Sequence, residues 1–299
     1  STENTFPTGQ ATKRIDFVVT LKTPPTTVVK SNVIYNLDGV NVAITSDHYP
    51  LYCDFKKPTG LEEYPKAEGD LRIGNYFLTY CKGTDGVIDY DRTGRIIAKM
   101  NADIVCLQGL DKETERSEGI DQLNVLAQKA NMHDYFAKAI DYKGGEFGVG
   151  ILTKEEPVSV DRYQMAGKSE MRAAMVVEYE KFVVASTNFD TDMAKRIEAL
   201  QTLETKLSAY NKPAFLLGYF NEGDLESEFF QMVKSNWNLL SADKSTEVSG
   251  KKRRLDFIVS LKSHNVNVTQ ADVIESLSGV DVTVASTHYP LFCDFSGLK

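Results

Sequence analysis

The chain has 299 residues, enough for one large domain or two small ones and for a sizeable buried core, with 42% hydrophobic and 25% charged residues. Its net charge of −8 argues against a nucleic-acid partner, because that affinity rests on basic side chains that displace counterions from phosphates. No apolar run approaches the roughly 20 residues of a membrane helix, so a soluble protein with no membrane partner is expected. The start Ser1-Thr2-Glu3-Asn4 lacks a signal-peptide pattern, but a processed mature start would look the same, which leaves export after signal removal open.

In chain order, the runs 15–21, 27–35 and 40–45 alternate or cluster apolar residues as strands do. The stretch 56–66 is charged, carries two prolines and a glycine, and reads as a linker. A strand is expected over 71–79, a helix over 90–100 with Ile96, Ile97 and Met100 inward, a buried strand over 102–107, and a helix over 121–130. Strands follow at 146–152, 173–179 and 182–186, then a long helix at 194–209, a short apolar strand at 214–217 and a helix at 225–234. Strands close the chain at 255–261, 267–274 and 281–285, the first entered through the solvated basic run Lys251-Lys252-Arg253-Arg254. His133 and His264 fall in loop-like contexts and read as surface histidines. Cys81 and Cys106 read as buried thiols, and no cysteine pair has CxxC zinc spacing. This order predicts an α+β protein with two sheets covered by helices.

One internal repeat organises the chain. The segment Lys13-Arg14-Ile15-Asp16-Phe17-Val18-Val19 matches Arg253-Arg254-Leu255-Asp256-Phe257-Ile258-Val259, and Ser46-Asp47-His48-Tyr49-Pro50-Leu51 matches Ser286-Thr287-His288-Tyr289-Pro290-Leu291. Both matches lie 240 positions apart, which is a domain length rather than a solenoid period. The expected organisation is the tail of a preceding homologous domain at 1–55, a linker at 56–69 and a complete domain at 70–299. Three strands alone cannot bury an apolar face, so residues 1–55 are expected to dock on the complete domain or on a neighbouring molecule, the candidate partners being a homologous catalytic domain or a second copy of this chain.

Several ordered segments resemble the endonuclease/exonuclease/phosphatase family: Leu71-Arg72-Ile73-Gly74, Ala102-Asp103-Ile104-Val105-Cys106-Leu107-Gln108, Gly144-Gly145-Glu146-Phe147-Gly148, Leu216-Leu217-Gly218-Tyr219-Phe220-Asn221, Arg254-Leu255-Asp256-Phe257 and Ser286-Thr287-His288-Tyr289-Pro290. Thr114-Glu115-Arg116-Ser117 and Ala139-Ile140-Asp141-Tyr142 are similar to segments of its bacterial members. The resemblance implies a DNase I-like, four-layered α/β/β/α sandwich with its site at one end. It also implies magnesium-dependent phosphoester hydrolysis, which needs carboxylates for a hard cation and a histidine for the attacking water.

Measured against that pattern, the early Asn is matched to Cys81, the metal-binding Glu to Gly109, a histidine to Asn188, and two aspartates to Tyr219 and Thr287. Asn221, Asp256 and His288 remain as vestigial catalytic residues, with His288 expected to lack an orienting Asp and Tyr219 expected to fill the mouth of the old site. Glu146 and Arg172 match substrate-side positions, where a structural salt bridge serves equally well. Asp16, Asp47 and His48 keep the motif intact in the tail. They read as a stranded half-site; the sharper alternative lets the tail replace 253–295 in the sandwich. The expectation is therefore a pseudoenzyme with a binding or structural role and no cofactor. The alternative is an active metal-dependent phosphodiesterase or phosphatase with rearranged ligands, which would need magnesium.

Overall fold

The computed structural model describes residues 3–9, 11–19, 27–56 and 63–299. The chain divides into two compact units, Ser1–Glu63 and Tyr64–Lys299. Residues 57–62 of the expected linker lie outside the described residues.

The first unit is a two-stranded antiparallel sheet of β1 (Thr27–Val33) and β2 (Leu51–Lys56), joined through the short helix α1 (Val42–Thr45). The strand expected over 15–21 does not form over 15–19, because no described residue of this unit pairs with that stretch; the remainder lies outside the described residues. The strand expected over 40–45 is largely α1.

The second unit begins with β3 (Leu71–Phe77), α2 (Tyr90–Met100), β4 (Ile104–Lys112) and α3 (Gln122–Ala130). It continues through β5 (His133–Tyr142), β6 (Gly145–Thr153), β7 (Ser159–Met165), β8 (Arg172–Glu178) and β9 (Val183–Asn188). Then come α4 (Met193–Ser208), β10 (Ala214–Tyr219), α5 (Glu228–Asn236) and β11 (Trp237–Leu239). It closes with β12 (Asp256–Leu261), β13 (Asn267–Val273), α6 (Val282–Ala285) and β14 (Leu291–Ser296). Aspartates at 89, 121 and 192 start α2, α3 and α4 by accepting a hydrogen bond from the backbone three residues on, and Ser227 does the same for α5. The strand expected over 281–285 is instead α6, because Asp281 caps the turn at Thr283 and the turn buries Val282 and Ala285. His133 is exposed as expected, but it opens β5 rather than lying in a loop.

Two six-stranded sheets face each other, ordered β13-β14-β3-β4-β6-β5 and β11-β12-β10-β9-β8-β7. Alternation along the strands divides the core into three layers. Ile73, Cys106, Met175, Leu217, Ile258 and Phe295 pack between the sheets. Leu200, Leu203, Phe230 and Trp237 seal α4 and α5 onto one outer face, while Ile96, Met100, Leu126 and Phe292 seal α2, α3 and α6 onto the other. The result is the four-layered α/β/β/α sandwich expected from the sequence. Burial pushes the Cys106 thiol up to about 12, so it is an inert core group. Among the described residues no helix is long and apolar enough to cross a membrane.

At the start of β3, Arg72 is fully buried and meets Asp294 of β14 in a bidentate pair at 2.6 and 2.7 Å. It also donates to the carbonyls of Tyr64 and Met100 and lies 3.9 Å over the Phe292 ring. This pair ties the last strand to the first.

Elements of the first unit recur in the second at the same 240-residue offset. β1, α1 and β2 have the bounds of β13, α6 and β14 shifted by that offset, and each sheet bulges at the same place, between Val28 and Lys30 and between Val268 and Gln270.

Candidate active site

The site lies where β3, β9 and β10 end, β12 begins and β4 bulges. Asp256 begins β12 directly across from Tyr219 of β10, and the turn after α6 brings His288 over it. His288 Nδ1 lies 2.6 Å from Asp256 Oδ2, with the side chains 7% and 0% exposed. The expectation that His288 lacks an orienting aspartate is therefore corrected, because the fold brings Asp256 to it from 32 residues away.

Both partners are held by short-range polar contacts. Ser286 Oγ donates to the carbonyl of Phe77 at 2.6 Å and accepts from the His288 backbone N–H. Thr246 Oγ1 accepts from the backbone N–H groups of Leu255 and Asp256. Burial opposes charging of the imidazole, but the charge and hydrogen bond of Asp256, with the charge of Glu247 beyond, hold His288 above its ordinary pKa. Glu247 is itself lowered to about 2, chiefly by its hydrogen bonds from Arg253.

The space around this pair is filled by rings. The centroid of His288 lies 4.7 Å from that of Phe77 and 4.9 Å from that of Tyr219, and Phe77 and Tyr219 are themselves 4.7 Å apart. Tyr219 thus closes over the pair as expected, and burial followed by the Asp256 charge raises its phenol pKa. Phe77 is the residue that sequence matching missed. Cys81, matched there to the early Asn, is fully buried under the outer helices with Tyr76 and Leu78. β3 ends at Phe77, so Cys81 falls in the turn beyond it. The alternation of the strand, with Ile73, Asn75 and Phe77 on one face, was the available signal.

Gly109 supports the same closure. It forms a bulge in β4 with φ +74, and a Cβ placed there would lie 3.3 Å from the Thr79 backbone N and 3.4 Å from the Phe77 ring. A glutamate at this position would sit on strained left-handed backbone, with its Cβ pressed against the Thr79 backbone and in contact with the Phe77 ring. Thr287 hydrogen-bonds Thr79 at 2.9 Å. Deeper in, Gln108 donates to Asn75 and Ser186, while Asn75 Nδ2, Gln108 Oε1, Asn188 Oδ1 and Asp256 Oδ1 are buried without a protein partner. Among the described residues no group of three or more His, Cys, Asp or Glu converges as a metal site would need. Phe77 and Tyr219 crowd the pair and Gly109 brings no side chain to it, so the residues present do not fit a hard divalent cation.

The remaining expected residues lie apart from the pair. Asn221, at φ +57, donates to the carbonyl of Phe189 and lines a 490 Å³ cleft with Tyr219, Glu222, Asp224, Lys252 and Arg253. Glu146 is 3.4 Å from Lys138, and Arg172 pairs with Asp190 and Glu170 at 3.0 Å. In the first unit Asp16 and His48 form their own pair at 2.8 Å, with Thr5 donating to Asp16 at 2.5 Å and Asp47 4.0 Å from His48. The hydrogen bonds from Thr5 and then His48 lower the Asp16 pKa. His48 and Asp16 are 36% and 34% exposed, against near-complete burial of their counterparts.

No protein-family model and no curated protein sequence matches the chain. Solved structures do. An endonuclease/exonuclease/phosphatase from Beutenbergia cavernae DSM 12333 is similar at TM-score 0.62 and 18% identity, over 77% of this chain and 73% of that one. A mannosyl-6-phosphatase from Bacteroides thetaiotaomicron VPI-5482 is similar at TM-score 0.60 and 15% identity, over 75% and 99%. The human Nocturnin catalytic domain is similar at TM-score 0.57 and 19% identity, over 76% and 93%. The fold is that of these structures, the DNase I-like sandwich.

Proposed function

We propose that residues 64–299 form a sandwich of endonuclease/exonuclease/phosphatase descent that has kept its framework, no longer hydrolyses phosphoesters, and serves a binding or structural role. One observation carries this reading: Phe77, Tyr219 and the Gly109 bulge crowd the retained Asp256–His288 pair. Phosphoester hydrolysis needs a cation to neutralise developing charge and room for an attacking water beside the base. Two aromatic rings and a glycine around the pair supply neither, and each lost ligand or base costs orders of magnitude in rate.

The second reading, an active metal-dependent phosphodiesterase or phosphatase with rearranged ligands, draws on the same pair, since a histidine locked by a buried carboxylate is how a general base is built. A calorimetric titration with magnesium and with manganese, run beside an assay on bis(p-nitrophenyl) phosphate, separates the two. The expected result is no binding heat and no turnover above buffer. Turnover that disappears in His288→Ala would establish the second reading instead.

A further inference from the structure

We propose that the first unit is the closing strand set of a sandwich, docking onto a second polypeptide with the fold of residues 64–299 whose own last strands are missing. The inference goes beyond the function proposed above and does not depend on whether any site hydrolyses a phosphoester.

The two copies of this strand set differ in what covers them. In the second unit, β14 pairs with β3 and β12 pairs with β10, so both are interior strands. In the first unit β2 pairs with β1 alone, and residues 15–19 pair with no strand among the described residues. The side chains remain built for the covered state. Phe17 and Val19 are 61% and 84% exposed, whereas Phe257 and Val259 are wholly buried. Ile15, Val18, Leu37 and Phe55 are exposed too, against buried Leu255, Ile258, Leu277 and Phe295. An apolar face of this extent, kept residue by residue, marks an interaction surface.

Charge identifies the occupant. Asp294 is buried in the second unit because it neutralises Arg72 on the neighbouring strand. The first unit keeps Asp54 at that register, exposed on β2 and opposite Lys30 of β1, with no second strand paired to β2 among the described residues. Lys30 meets this carboxylate only from the β1 side, and a partner strand that carries a buried cation on the other side, as β3 does, would complement it there. The partner is therefore a strand edge of β3 type with an arginine at the register of Arg72, beside a β10-type edge that receives residues 15–19. On docking, the exposed Asp16–His48 pair would become as covered as Asp256–His288, with Asp47 standing where the second unit has Thr287.

Co-expression tests this with the full chain and a tagged probe spanning residues 64–244, which ends before β12 and leaves the β3 and β10 edges open. The probe is expected to be recovered soluble and equimolar with the full chain, and Asp54→Lys or Phe17→Asp in the full chain should cut recovery by about a hundred-fold, as for a broken buried pair. A probe that stays insoluble in every mixture, or is recovered equally with the variants, overturns the proposal. A second probe, residues 64–299 with Asp294→Lys, keeps all its strands but weakens the last one. It should bind the full chain more tightly than the unaltered 64–299 segment does, and equal binding would overturn the proposal as well.

Discussion

At the scale of single residues, the two buried ionic pairs of the second unit answer to different variables. Arg72 donates two charge-assisted hydrogen bonds to Asp294 out of contact with solvent. Asp294→Asn leaves the guanidinium without its counter-charge, and urea unfolding of this variant should show a loss of about 3–5 kcal/mol. The double variant Arg72→Met with Asp294→Leu removes both charges and should lose much less. Asp256 and His288 depend on pH. A histidine whose folded pKa is raised contributes stability that is complete below its unfolded value and is lost as pH rises through its folded value. The melting temperature of the native protein should therefore exceed that of Asp256→Asn most clearly below about pH 6.5. The gap should narrow as pH rises past the raised value, and a gap that widens instead would show that the pair is not charged in the folded state.

At the scale of elements, the β4 bulge decides whether the site can be rebuilt. Gly109→Glu supplies a carboxylate, but at a left-handed backbone position in contact with Phe77. Thermal or urea unfolding should show a cost of about 1–3 kcal/mol, and calorimetry should show no magnesium binding. Local signals explain which elements the sequence revealed. Helices α2, α3 and α4 were legible because aspartate caps stand ahead of apolar residues at helical spacing. The helix α6 was read as a strand because Val282, Thr283 and Val284 are β-branched, and only Asp281 marks the turn. Strands β2, β5, β7, β11 and β14 went unread; β5 and β7 are only half-buried and carry a weak alternation. The site was legible as lost residue types but not as a packed object. Neither the Asp256–His288 contact nor the closing ring of Phe77 is local in sequence, so both wait on the fold.

At the scale of the whole molecule, the two units carry unequal cores. The second closes three buried layers, whereas in the first Val33 and Val42 are the buried aliphatic residues among those described. A chain beginning at Tyr64 should therefore keep the main unfolding transition of the full protein within about 2 °C, since that transition belongs to the large core. A drop of many degrees would mean that the first unit braces the second.

The position of the single tryptophan makes these units optically separable. Trp237 is buried on β11, hydrogen-bonded to Glu204 and paired with Leu261 of β12, at the seam where the closing strands join the sheet. Its emission therefore reports the integrity of that seam, while tyrosines 35, 49 and 52 give the first unit only their weaker signal. Comparing tryptophan emission with far-ultraviolet circular dichroism during one denaturation would follow the loss of each unit without any label.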